Sequence, residues 1–79
     1  MPSEIDKDKL KAEFGIHVRQ LRLSKEYSLR KVQSQCSIDN SKLSKIESGK
    51  FDIQLSTIYD LARGLGVHPT ELLTFKFDY

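Results

Sequence analysis

The side chains from Asn40 to Ser48 are those whose types and spacing could do chemistry. Asn40, Ser41, Lys42, Ser44, Lys45 and Ser48 crowd into this stretch with Glu47 as its single carboxylate. Amide, hydroxyl and ammonium groups together can donate to and accept from base edges and can donate to phosphate oxygens. Leu43 and Ile46, at i and i+3, would turn one face of a helix inward and leave those polar groups outward. Such a face suits a nucleic-acid groove.

The segment from Ser28 to Gly49 supplies the frame for that face. Leu29, Val32 and Cys36, at i, i+3 and i+7, line one side of a first helix, and Ile38 can pack beneath a turn leading to the second. Ser28 and Asp39 stand where N-caps are needed, each able to accept from an unpaired N–H two or three residues on. Gly49 is a C-terminal stop. The pattern predicts two short helices joined by a tight turn over residues 28–49.

Around this pair, Leu10, Phe14, Val18 and Leu21 recur at spacings of four, four and three, predicting an amphipathic helix from about residue 7 to Lys25, opened by Pro2, Ser3 or Asp6. Gly15 inside it costs helix propensity of about 1 kcal/mol relative to Ala, a sign of close packing there. Leu55, Ile58, Leu61, Ala62 and Leu65 predict a buried helix ended by Gly64 or Gly66, and Pro69 opens a short last helix with Leu72 and Leu73. The tail, Phe75 to Tyr79, alternates aromatic with charged residues, the period of a strand. The expected architecture is all-α: one compact domain over residues 1–79, with five helices and a short C-terminal β-strand.

The 79 residues carry a net charge of +2, but residues 19–50 hold eight Lys or Arg against three acids, giving +5, while both flanks are acidic. The basic region coincides with the predicted helix pair, which raises the weight of a nucleic-acid partner. The one cysteine, Cys36, cannot form an internal disulfide and reads as a small core residue in a reducing compartment. No apolar run is long enough to span a membrane, and no leader is visible, so a cytoplasmic protein without membrane contact is expected. His17 and His68 lie in different predicted elements without metal-ligand spacing, and there is no phosphate-binding glycine loop, so neither a cofactor nor a metal nor an enzymatic role is expected.

Over residues 10–73 the sequence resembles the lambda-repressor-like helix-turn-helix family. The resemblance rests on HVRQLR, on Val32, Ile38, Leu43 and Ile46 at core positions, on KLSKIESGK and on LARGLGVHPTELL. It departs from the family pattern at Leu29 (often Gln), Gln33 (usually Ala) and Ser37 (usually Gly). Ser37 would be strained if the turn needed a positive φ, and Gln33 would spread the two motif helices.

The resemblance implies that the second motif helix enters the DNA major groove, with Asn40, Ser41 and Lys45 reading base edges and Lys42 and Ser44 second to them. It further implies phosphate contacts from Ser28, Arg30, Lys50, Gln54 and Ser56, and a buried structural ion pair between Arg22 and Glu47. One such surface covers few base pairs. A homodimer on a two-fold symmetric operator is therefore expected, joined through Leu72, Leu73, Phe75, Phe77 and Tyr79 in and before the tail, residues 74–79. The opposing expectation is that these aromatics close the monomer's own core. The implied function is a sequence-specific transcriptional regulator, a repressor or autoregulator. The alternative is an antitoxin-like protein-interaction module whose apolar tail binds a partner protein.

Overall fold

Asp6 opens the first helix, its carboxylate accepting from the Lys9 N–H at 3.0 Å. The computed structural model describes residues 4–79, so Pro2 and Ser3 lie outside the described residues. Helix α1 runs Lys7–Ser24, α2 Leu29–Ser34, α3 Asn40–Glu47 and α4 Leu55–Leu65, followed by a 3₁₀ helix, Pro69–Leu73. Ser28 Oγ caps α2 through Lys31 N–H at 3.0 Å, and Asp39 Oδ1 caps α3 through Lys42 N–H at 2.7 Å. These bonds satisfy donors that a helix start otherwise leaves open.

Helix α1 packs on α3 and on the 3₁₀ helix, and α2 packs on both α3 and α4. Phe14, Val18, Val32, Ile38, Leu43, Ile46, Leu61, Ala62, Leu65 and Leu72 form the buried core. Gly15 permits the closest of these approaches: a Cβ there would stand 2.5 Å from the carbonyl oxygens of Ile46 and Glu47. The last turn of α3 is thereby seated against the α1 backbone. At the end of α3, Gly49 takes φ 76° and donates its N–H to Ile46 O at 3.2 Å, closing the helix in a conformation that favours glycine.

Several expectations require correction. The described residues contain four α-helices rather than five, the last element being a 3₁₀ helix, and no strand. An isolated strand has no partner for its ladder of N–H and C=O groups; instead Phe75 turns onto Phe14, with ring centroids 6.0 Å apart, and onto His17 at 5.4 Å. His17 Nε2 also bonds the Glu71 carbonyl at 2.6 Å, fastening α1 to the 3₁₀ helix. Leu55 is 72% exposed rather than buried. The inward face of α4 carries Thr57, Leu61, Ala62 and Leu65, and Leu55, though only about 20° from Ala62 around the helix, is the first residue of α4, two turns before Ala62 and past the end of that face. Ser37 is not strained, since Glu26, in the turn between α1 and α2, is the described non-glycine residue with positive φ, at 58°.

Candidate nucleic-acid interface

On α3, Leu43 and Ile46 face the core, and this fixes what faces out. Asn40, Ser41, Ser44 and Lys45 are exposed, whereas Lys42 is half-buried. The Lys42 ammonium stands 4.8 Å from the Phe51 ring centroid, so its stem is laid along the loop after α3. An attraction of this type holds a cation in place while leaving its donors available. Ser41, Lys42, Lys45 and Lys50 line one open groove with Asp39 and Phe51. Ser48, by contrast, turns its hydroxyl back to the carbonyls of Ser44 and Lys45, at 3.0 and 3.2 Å.

The one carboxylate in this helix is drawn away from the outward face. Arg22 Nε donates to Glu47 Oε2 at 2.7 Å and Arg22 Nη2 to Oε1 at 3.0 Å, a two-pronged pair whose side chains are only 11% and 9% exposed. Arg22 Nη1 donates to the Tyr27 carbonyl at 2.8 Å, which ties the same guanidinium to the approach of α2. Hydrogen bonding to Glu47 raises the Arg22 pKa above its ordinary value, with the Glu47 charge adding to it and burial opposing it. The pair locks the C-terminal end of α3 against α1. With Glu47 so engaged, the outward face keeps ammonium, amide and hydroxyl groups.

The remaining polar candidates spread over three elements. Ser28 is exposed but its hydroxyl already caps α2, and Arg30 is exposed on the first turn of that helix. Lys50 shares the groove of Ser41 and Lys45, whereas Ser56 lines a different hollow, formed with Ser37, Thr57, Tyr59, Asp60 and Arg63. Gln54 precedes α4 with its side chain making no cap bond. The structure thus gathers Ser41, Lys42, Lys45 and Lys50 in one groove, while Asn40 and Ser44 are exposed on α3 outside its lining and Ser28, Arg30, Gln54 and Ser56 lie on other elements.

Leu72 is corrected as a surface residue: it is 0% exposed and belongs to the core, because the 3₁₀ helix turns it inward. Leu73 and Phe75 line an apolar hollow with Leu10, Phe14, Phe51, Ile53 and Ile58, while Phe77 is half-buried and Tyr79 is 98% exposed.

Two features escape the sequence reading. Phe51 comes from a loop with no periodicity to mark it. Asp60 bonds Ser37 across the fold, and its one local signal, the i+3 spacing to Arg63, says nothing about the turn. Among the described residues no group of three or more His, Cys, Asp or Glu could hold a metal ion, and no helix is long and apolar enough to cross a membrane.

Comparison with known proteins agrees with the fold. A family described as a helix-turn-helix domain matches residues 15–76. The chain is 40% identical over 63 residues to the control protein C.BamHI of Bacillus amyloliquefaciens, covering 78% of each chain. Its fold is similar to the crystal structure of the restriction-modification controller protein C.AhdI from Aeromonas hydrophila, with a TM-score of 0.76, 30% identity, and coverage of 81% of this chain and 97% of that one. The hypothetical transcription factor NHTF from Neisseria is also similar, with a TM-score of 0.73, 32% identity, and coverage of 92% of this chain and 85% of that one.

Proposed function

The chain belongs to the helix-turn-helix domain family, and from that premise we propose that it is a transcription regulator that binds double-stranded DNA in a sequence-specific manner. The observation that carries this reading is the outward face of α3, where Asn40, Ser41, Ser44 and Lys45 stand exposed while Glu47 is withdrawn onto Arg22. With α3 in the major groove, Asn40 can bond adenine N6 and N7 together, Lys45 can donate to guanine O6 or N7, and Ser41 can serve either purpose. Ser44 lies one step further along. Lys42, steered by Phe51 toward the groove it shares with Lys50, suits a phosphate or a neighbouring base.

Phosphates supply affinity and register in this reading. Arg30 and Lys50 offer the charges, and Ser28, Gln54 and Ser56 offer hydrogen bonds at the starts of α2 and α4. The protein acts as a homodimer on a two-fold site with half-sites roughly 34 Å apart. Leu73, Phe75, Phe77 and Tyr79 supply its joining surface, Leu72 being excluded by its burial. Residues 28–49 are the reading unit of a single domain, and repression or autoregulation is the mode of control. Likeness to proteins described as controllers, one of them of restriction-modification, supports the regulatory reading. It makes control of restriction-modification genes the first context to examine.

A selection of bound duplexes from random DNA tests the function, read together with sedimentation of the free and bound protein. Enrichment of a two-fold symmetric site bound by two chains is expected. Recovery of DNA without sequence preference contradicts the reading, and capture of a partner protein through residues 74–79 in its absence favours an interaction module.

A further inference from the structure

The turn between α2 and α3 is tied to α4 at two points: Gln35 Nε2 donates to the Gly64 carbonyl at 2.8 Å, and Ser37 meets the Asp60 carboxylate. Ser37 Oγ donates to Asp60 Oδ2 at 2.5 Å, and the Ser37 backbone N–H is shared between the two carboxylate oxygens at 3.3 and 3.4 Å. Arg63 Nη2 donates to Asp60 Oδ1 at 2.8 Å, an i,i+3 surface pair in which Arg63 is 70% exposed, of a kind that contributes little to holding a structure. Ser37 and Arg63 are exposed, whereas the Asp60 side chain is only 18% exposed. Its pKa is lowered, chiefly by the Ser37 hydroxyl against the opposing effect of burial, with Arg63 assisting.

Ser37 leads directly into the approach to α3: Ile38 is buried, Asp39 caps the helix, and Asn40 begins it. The far end of α3 is held by Glu47 on Arg22 of α1. The reading helix is therefore anchored at its start to α4 and at its end to α1. Resting on the DNA-binding reading above, we infer that Asp60 is a positioning residue for base recognition, clamping the Ser37 N–H and hydroxyl so that α3 leaves the turn at one angle.

The consequence is selective. Bidentate contacts from short side chains such as Asn40 tolerate little displacement, whereas long Lys and Arg side chains follow a phosphate through small shifts. Loosening the clamp removes sequence discrimination before it removes binding. Ser37→Ala is the informative variant because it leaves net charge unchanged; Asp60→Asn and the double variant complete a cycle. Arg63→Ala keeps both Ser37 bonds and serves as the control.

Two measurements on the full chain decide the matter: the ratio of affinities for the selected and a scrambled duplex at one salt concentration, and amide hydrogen exchange of α3 in the free protein. Ser37→Ala and Asp60→Asn should each lower the ratio about tenfold, the scale of one charge-assisted hydrogen bond, without additivity in the double variant. Both should quicken exchange in α3, and Arg63→Ala should do neither. Quickened exchange with an unchanged ratio would make Asp60 a fold-stabilising residue alone and overturn the inference. Unchanged exchange would overturn it too, whether or not the wild-type chain selects a DNA sequence. Absence of any selected sequence refutes the DNA-binding reading separately.

Discussion

Replacing Glu47 by Met leaves the Arg22 guanidinium facing an apolar side chain in place of a carboxylate held at 2.7 and 3.0 Å, with the Tyr27 carbonyl at 2.8 Å still accepting from Nη1. Both side chains are about nine-tenths buried, at 11% and 9% exposure, so solvent screens little of the loss. Stranding one member of such a pair costs about 3 to 5 kcal/mol. A small domain is stable by only about 5 to 15 kcal/mol, so the single variants should lie close to unfolding. At about 4 to 8 °C per kcal/mol for a chain of this size, Glu47→Met should lower Tm by at least about 12 °C. Arg22→Met should act similarly by stranding the carboxylate. The double variant strands neither charge and should be less destabilised than the two singles taken together. Urea denaturation of all four chains gives the coupling directly. Additive losses below about 1 kcal/mol each, the range of exposed pairs, would refute the brace.

Other perturbations follow the same logic. Gly15→Ala places a Cβ 2.5 Å from the Ile46 and Glu47 carbonyls and should destabilise by about 1 to 3 kcal/mol, measured by the same denaturation; an unchanged midpoint would contradict the close approach of α1 and α3. DNA affinity should fall steeply between about 50 and 200 mM salt, and Lys50→Ala should flatten the log–log slope by about 1 per protomer, read by anisotropy titration. The lowered pKa of Asp60 means that its clamp contributes stability above the ordinary carboxylate range near pH 3.9, a contribution lost as pH falls through the folded-state value. Ser37→Ala should therefore destabilise the protein at pH 7 and lose less further stability in acid than the parent, as followed by circular dichroism.

How much of this was legible in the sequence depended on whether the cause was local. The Ser28 and Asp39 caps and the inward placement of Val32, Leu43 and Ile46 depend on neighbours within one turn, so type and spacing suffice to read them. Leu55 satisfies an apolar period by sequence alone but lies beyond the edge of the core. Leu72 and Leu73 are chemically alike, and only the 3₁₀ geometry after Pro69 decides which is buried. The aromatic tail has the period of a strand, yet Phe75 is claimed by Phe14 and His17 before any pairing. At the site, Asn40, Ser41 and Lys45 were legible as outward residues. Lys42 over Phe51 and Asp60 against Ser37 were not, since each joins elements whose approach no local pattern encodes.

The central claim is that exposed side chains at the start of α3 read base identity, and Asn40 tests it most directly. Parallel selections of bound DNA with the parent chain and Asn40→Ala should return the same symmetric site with preference relaxed at one position per half-site, costing about 1 to 3 kcal/mol there and little elsewhere. An equal loss of affinity for every sequence, or an unchanged preference at every position, would contradict it.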